Sequence, residues 1–319
     1  MQFFAKCYII EIRKIFPQFY DGAESGTQMT EVYHIISNPV AGKNKTGKVL
    51  KLVQDLFAKR GYPTQTHFTQ AKGDATSIAR SLTEAGEKKI IALGGDGTLH
   101  EVLNGLCDPT ACQLGVIPAG TGNDFAEHAQ IPLKIQDAVN VILDGKIRAT
   151  DYLEVGGKRC MNVAGIGMDV DVLERCSRGK RTGKLKYLKC LLQSVFAFKG
   201  YDVVFRNGDT EEERKVLLSA VCNGSQFGGG IRICPVADST DGKMDVVIVD
   251  SVTGKWKLIK ALLTLLKGKI LQFPKTTHFL CDSFSAVSKT PCPAQLDGEL
   301  YTGLEFSVKL CKGLQMYRP

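Results

Sequence analysis

From Glu31 to about Leu143 the chain alternates between short β-branched runs and longer amphipathic runs, and nothing else in it constrains the fold as tightly. VYHIIS predicts a strand beginning at Val32, NPVAGKNKTG a loop, and VLKLVQDLFAKRG a helix closed by Gly61. TQTHFT predicts a second strand, and DATSIARSLTEAG a helix with Asp74 as candidate N-cap and Gly86 as its stop. KKIIALGG is a third strand followed by a helix with Leu99, Val102, Leu103 and Leu106 on one face. QLGVIP is a fourth strand, and IQDAVNVILDG a helix ending at Gly145. Alternation of this kind argues a doubly wound, mostly parallel sheet, which binds ligands at the carboxyl ends of its strands.

After residue 148 the texture changes. DYLEVGG, KRCMNVAG, YDVVFRN, KVLLSAVCNG, MDVVIVD, HFLCDSFSAVS and GLEFSVKL are strand-like, with helices expected only near 184–198 and 254–267. The expected organisation is an extension at 1–28, an α/β domain at 29–147 and a β-rich sandwich or curled sheet at 148–319. Its last strand is a candidate to return to the first domain, and a cleft is expected between the halves. Residues 1–28 have two readings: an amphipathic helix on a membrane surface, or sequence upstream of a true start at Met29. The second is preferred, because a well-formed strand begins just after Met29.

Composition narrows the function classes. The formal net charge is +8, which favours a polyanionic partner such as a membrane surface or a nucleotide. No nucleic-acid motif is present, so nucleic acid is not the expected partner. The eleven cysteines form no CxxC pair, so reduced thiols are expected rather than a zinc site or a disulfide framework. No run reaches the ~18 apolar residues of a membrane-spanning helix.

Three loops fall on the carboxyl edge of the predicted sheet: NPVAGKNKTGK (38–48), GGDG (94–97) and PAGTGNDFA (118–126). Glycine there admits a ligand close to the backbone, and the helix amides that follow form an anion site. Asp96 is the odd member, since a carboxylate repels phosphate unless a cation or a hydroxyl lies between them. Phosphoryl transfer is the chemistry that reconciles the two. Neither a Walker A nor a GxGxxG spacing is present.

GGDGTLHEVLNGL together with PAGTGNDFA, preceded by NPVAGKNKTGK, resembles the soluble diacylglycerol kinase family, which is related to sphingosine and ceramide kinases; the likeness runs from about residue 32 to 317. Phosphofructokinases and NAD kinases share a related GGDGT turn without the flanking residues. The resemblance implies an ATP- and Mg²⁺-dependent lipid kinase. Asn38, Pro39, Gly42, Thr69, Gly94, Gly95, Asp96, Gly97, Thr98, Glu101 and Thr121 would lie around the nucleotide. Asp96 and Asp124 would join a carboxylate–water–magnesium network. His100 stands where relatives often have Asn and is taken as a hydrogen-bonding replacement. A second Mg²⁺ would sit at the 232–246 turn on Asp238, Asp241 and the carbonyl near Lys243, hard oxygen ligands suited to it. Asp297-Gly298 reads by itself as a hairpin turn; the resemblance makes the DGE stretch the source of the general base, Asp297 or Glu299, with Asp297 favoured.

Diacylglycerol is the expected acceptor. The alternatives are a sphingoid base, phosphatidylglycerol or a polyprenol, NAD as a soluble acceptor, or a non-catalytic nucleotide or lipid sensor. Cytoplasmic placement at the inner face of the membrane is expected, and a homodimer is left open. Seven Lys/Arg and no acid between 175 and 189, and the helix at 255–270, are candidate contacts with anionic headgroups.

Overall fold

Strand β1 (Tyr33–Ser37) is buried along its whole length and hydrogen-bonds parallel neighbours on both sides, β2 (Thr64–Phe68) and β3 (Lys89–Gly94). Strand β4 (Gln113–Pro118) extends the parallel set beyond β3. The period-two alternation of strand side chains divides the apolar residues between two layers. Ile35, Ile91, Leu93 and Ile117 pack against helices α1 (Thr46–Lys59) and α5 (Ile135–Leu143) through Val53, Phe57, Val139 and Ile142. Ile36, Ile90, Ala92 and Val116 pack against α2 (Asp74–Glu84) and α3 (Asp96–Gly105) through Ala79, Leu99, Val102 and Leu103. A sheet covered on both faces explains why these strands read as continuous apolar runs. Gly61, Gly86 and Gly145 follow the helices with φ of 76°, 87° and 70°, the left-handed stop for which glycine is suited. Asp74 is the first helical residue rather than the N-cap, which is Gly73; its carboxylate accepts the Gln70 and Ala71 amides of the preceding turn.

This computed structural model describes residues 31–39, 46–177, 184–197, 200–207, 210–288, 293–303 and 305–319. The extension at 1–28, Gly42 and residues 178–183 of the basic segment lie outside the described residues.

The remainder grows from the same sheet by antiparallel pairing, apart from a separate two-stranded antiparallel sheet, β10–β11. Its strands are β5 (Ile147–Val155), β6 (Lys158–Cys160), β7 (Val163–Gly167), β8 (Tyr201–Asn207), β9 (Thr210–Cys222), the short pair β10 (Gln226–Phe227) and β11 (Ile231–Arg232), β12 (Met244–Asp250), β13 (Thr276–Cys281), β14 (Ser283–Ser288), β15 (Ala294–Leu296), β16 (Glu299–Tyr301) and β17 (Phe306–Tyr317). The main ladder runs β16-β15-β7-β9-β8-β14-β17-β4-β3-β1-β2. Strand β17 pairs with β14 near its start and with β4, in parallel, near its end, while β5 runs along its other edge. Residues 32–319 pack as one unit.

Two differences from the sequence reading have local causes. HFLCDSFSAVS is two strands, because the chain changes partners at Asp282: β13 pairs with β12, and β14 with β8 and β17. A further helix, α6 (Met168–Ser177), precedes the expected α7 (Lys184–Ala197) and α8 (Lys255–Leu266). It starts directly from β7 through Gly167 at φ 126°, with no loop to announce it. Met168 and Val172, one helical turn apart, pack against Leu191 and Val195 of α7 and Leu262 of α8.

Leu314 of β17 is fully buried against the α2–α3 side of the sheet. Leu314→Ala is expected to lose about 3 kcal/mol in urea unfolding, whereas the exposed Leu280→Ala changes little.

Candidate active site

Two of the three glycine loops meet backbone to backbone. A Cβ on Gly95 would lie 3.0 Å from Gly120 Cα, and one on Gly120 would collide with Gly95 Cα. The close approach therefore requires glycine on both loops. Asn123, in the left-handed region at φ 58°, closes the second loop by accepting the Gly120 amide (3.0 Å) and donating to the Gly120 carbonyl (3.2 Å). The crossing brings the N-terminus of α3 beside that of α4 (Asp124–His128) and sets Asp96 and Asp124 side by side. A Cβ on Gly122 would lie 2.8 Å from Asp96 Oδ2 and 3.5 Å from Asp124 Oδ2.

The two carboxylates have different anchors. Asp96 Oδ1 accepts the Phe125 amide at 3.2 Å. Asp124 accepts the amides of Gly229 (2.8 Å) and Gly230 (2.7 Å) and the Gln226 side-chain amide (3.2 Å). Burial first, and then the neighbouring Asp124 charge, push the Asp96 carboxyl up to about 6. Asp124 is raised too, by burial, against the pull of its donors. Two crowded acids of this kind form an oxygen-rich seat for a hard cation: a divalent ion would relieve both desolvation and repulsion, and Mg²⁺ chemistry fits the donor set.

Opposite them stands the hairpin between β15 and β16. Leu296 and Glu299 are paired across a two-residue turn, and both turn residues have positive φ, Asp297 at 53° and Gly298 at 87°. This is the type I′ geometry that Asp-Gly favours. The turn points Asp297 inward, leaving 3 % of its side chain exposed. Its Oδ1 accepts the Asn162 amide (2.8 Å), the Val163 amide (3.3 Å) and the Cys160 thiol (3.1 Å). Its Oδ2 accepts the Met161 amide (2.8 Å) and faces His100 Nδ1 at 3.0 Å. Burial pushes this carboxyl up, but His100 and the amides outweigh it and hold Asp297 below the ordinary carboxylate range. With Asp297 ionised, His100 donates from Nδ1 and leaves Nε2, 2.8 Å away, to accept from the Tyr301 hydroxyl. His100 is thus a buried strut between the glycine-loop helix α3 and the hairpin.

A cleft of about 260 Å³ lies between these parts, lined by Asp96, Thr121, Asp124 and Asp297 together with Leu99, Phe125, Met161, Leu173 and Phe227. The structure adds a fourth acid that the sequence reading missed. Asp169, in the first turn of α6, is buried in the cleft wall beside Gln295, and burial raises it to about 7. Its signal in the sequence was an acid in an apolar GIGMDVDV stretch, unreadable without knowing that α6 begins there.

The other predicted residues are placed as follows. Gly94 and Thr98 pack on each other at the turn, and Gly97 faces Glu299, whose Oε1 would lie 3.7 Å from a Cβ there. Glu299 is paired with Lys72 at the rim and does not line the cleft. Asn38, Pro39 and Thr69 follow β1 and β2 at the same edge; the Thr69 amide donates to the Ser37 carbonyl (3.1 Å). Glu101 accepts the Gly73 (3.0 Å) and Ala75 (3.2 Å) amides, capping α2. Asp238, Asp241 and Lys243 lie outside the cleft, on an exposed turn where Asp238 Oδ1 accepts the Thr240 amide (2.9 Å) and Asp241 Oδ1 the Lys243 amide (2.9 Å).

A raised carboxyl pKa favours the folded state only while the group is protonated, so Asp96 disfavours folding increasingly as pH rises from about 4 through about 6. Asp96→Asn in metal- and nucleotide-free protein is expected to raise stability by roughly 2–3 kcal/mol near pH 8 and by little near pH 4. Urea unfolding at the two pH values checks this.

Residues 32–155 match the diacylglycerol kinase catalytic domain, and residues 162–313 the YegS C-terminal NAD kinase beta sandwich-like domain. The chain is 31% identical over 269 residues to a Staphylococcus epidermidis protein named diacylglycerol kinase, covering 83% of this chain and 84% of that one. It is 30% identical over 292 residues to a Xanthomonas oryzae pv. oryzae protein named "Probable lipid kinase YegS-like", covering 87% and 94%. A solved structure of a diacylglycerol kinase from Bacillus anthracis str. Sterne shares the fold, with a TM-score of 0.70 at 20% identity over 91% of this chain and 97% of that one. The chain belongs to the diacylglycerol kinase and YegS-like family of lipid kinases, phosphotransferases that act on a lipid alcohol with ATP as donor.

Proposed function

We propose that this lipid kinase phosphorylates the primary hydroxyl of diacylglycerol to give phosphatidic acid. The observation that carries the reading is the lining of the cleft: four aspartates and an apolar wall, with no lysine or arginine among the described lining residues. Such a surface repels an anionic acceptor such as phosphatidylglycerol and admits a neutral one. Relatives at about 30% identity bear the diacylglycerol kinase name. The same acidity would also attract the ammonium of a sphingoid base, which is the second reading.

In this proposal Asn38, Pro39, Gly42, Thr69, Thr121 and the Gly94–Thr98 turn with Glu101 surround the nucleotide, and Asp96 and Asp124 hold Mg²⁺. Bound there, Mg²⁺ would neutralise charge on the triphosphate. Asp238, Asp241 and the Lys243 carbonyl are proposed as a second Mg²⁺ site. Asp169 takes the acceptor's glycerol end. The lipid oxygen attacks the γ-phosphorus, the bond to the β-phosphate oxygen breaks, ADP leaves with the electron pair, and the hydroxyl proton passes to Asp297. A carboxylate held ionised by several donors is a weak base, which suits a loose transition state needing little prior deprotonation. Asp297 is favoured over Glu299 because it lines the cleft, whereas Glu299 is engaged by Lys72.

Transfer of γ-labelled phosphate to a mixed-micelle panel of diacylglycerol, sphingosine, phosphatidylglycerol and a polyprenol, with NAD as soluble control, tests the reading. Label is expected in diacylglycerol, reduced about 100-fold or more in Asp297→Ala and less than about tenfold in Glu299→Gln. The reverse order would move the base to Glu299. Asp169→Asn is expected to raise KM for lipid and leave that for ATP unchanged. Label in sphingosine alone would establish the second reading, and label in no lipid would overturn both.

Among the described residues no helix is long and apolar enough to cross a membrane. Helix α8 supports the proposed peripheral contact with an anionic surface: Trp256 is 84 % exposed and shares a face with the exposed Lys260 and Leu263. Indole and lysine together suit the headgroup region. Trp256→Ala is expected to lower co-sedimentation with phosphatidylglycerol-containing vesicles several-fold while leaving unfolding midpoints unchanged. Unaltered binding would place the membrane contact elsewhere.

A further inference from the structure

The cysteine spacing offers no metal motif, yet the sheet assembles one from separated strands. Cys222 of β9 is paired directly with Asp245 of β12, and His278 of β13 faces Val247, one diagonal step from Asp245 on the same side of the sheet. Cys234, just after β11, closes over them. Its Sγ lies 4.0 Å from His278 Nε2, which is 2.6 Å from Asp245 Oδ1, and the three ligand atoms all fall within 4.8 Å of one another. Cys222, opposite Asp245 and on the same face of the sheet, is the neighbouring thiol.

We propose that Cys234, Asp245 and His278, joined by the neighbouring Cys222 as fourth ligand, form a tetrahedral site for a thiolate-binding divalent cation of the zinc type. Two sulfurs, an imidazole nitrogen and a carboxylate oxygen are a donor set that zinc takes. Ligand atoms around tetrahedral zinc stand about 3.3–3.8 Å apart, so the atoms of Cys234, Asp245 and His278 need shift only slightly to share an ion, and a turn of the Cys222 side chain would supply the fourth ligand. Cys222 and Cys234 are fully buried and Asp245 nearly so, among Leu218, Ile233 and Val247. Two thiols alone would be ordinary core packing. A carboxylate beside them is not; its partner is the His278 imidazole, and a cation bound between the two would take over the compensation of its burial. His278 keeps 29 % of its side chain exposed and provides the way in. Binding forms two S–metal bonds and releases the thiol protons to solvent, with no change in oxidation state. Cys234 and Asp245 also bracket the turn that carries Asp238 and Asp241, so the ion would pin both ends of that segment.

The full-length protein, produced with zinc and purified without a metal-affinity tag, is expected to carry about one zinc per chain by elemental analysis. Cobalt(II) added to the stripped protein should give a thiolate-to-metal charge-transfer band. Cys234→Ser should diminish the band, and His278→Ala, at the exposed edge, should weaken cobalt affinity at least about tenfold. The exposed-cysteine control Cys107→Ser should change neither. Trace zinc with no band in protein that circular dichroism shows to be folded, a band indifferent to Cys234→Ser and His278→Ala, or a Cys222–Cys234 disulfide on thiol counting would each overturn the site. None of these readouts depends on phosphoryl transfer, so the kinase reading stands or falls separately.

Discussion

Strand β17 is the constraint through which the rest of the sheet is joined. Its early residues extend the antiparallel ladder beside β14, and Gln315 and Met316 enter the parallel set beside β4. A register shift between Cys311 and Leu314, with Gly313 at φ 90°, lets one strand serve both. Its side chains are shared accordingly: Phe306 and Val308 fill the antiparallel core, Leu314 and Met316 the α2–α3 layer, and Tyr317 the α1–α5 layer. Most of the apolar burial in the molecule is therefore coupled through one segment, and the elements around the cleft are held to a common frame.

Within that frame the site is set by small backbone requirements. Gly95 and Gly120 touch, which puts Asp96 against Asp124. The Asp297-Gly298 turn aims a carboxylate at three consecutive amides, Met161 to Val163, and His100 ties it to α3. An ordinary hairpin turn thus places a carboxylate in the cleft: the turn type supplies the direction and the amides favour the ionised form. His100 is more than a hydrogen-bonding replacement, since its two ring nitrogens tie α3 to the turn residue Asp297 and to Tyr301 at the end of β16.

Two of the acids in the cleft, Asp96 and Asp169, cost stability near neutral pH, whereas Asp297 adds to it. Asp96 and Asp169 are pushed up by burial, while Asp297 is held down by donors, so carboxyls lining one cleft are displaced in opposite directions. Separation of this kind is characteristic of sites where charge is to be managed rather than minimised.

Much of this was legible in the chain itself. Period-two and period-3.6 patterns placed β1 to β4 and their helices, because both faces of a parallel sheet must be apolar and the helices between must be amphipathic. The glycines of GGDG and PAGTGND marked the close loops, because only glycine permits the approach. Other features depended on partners far apart in sequence. Helix α6 has no loop to signal it, and Asp169 was unreadable until that helix was placed against β15. The break at Asp282 follows from a change of strand partner, and Asp245 and His278 meet because β12 and β13 are neighbours, with Cys234 brought over them by the segment after β11. Local spacing by itself determined which segments could form strands, helices and phosphate-type loops, since those depend on steric limits within a few residues. Only the tertiary structure decided which carboxylates share a cleft, which are held ionised and which thiols face an imidazole, since burial and electrostatics act through space rather than along the chain.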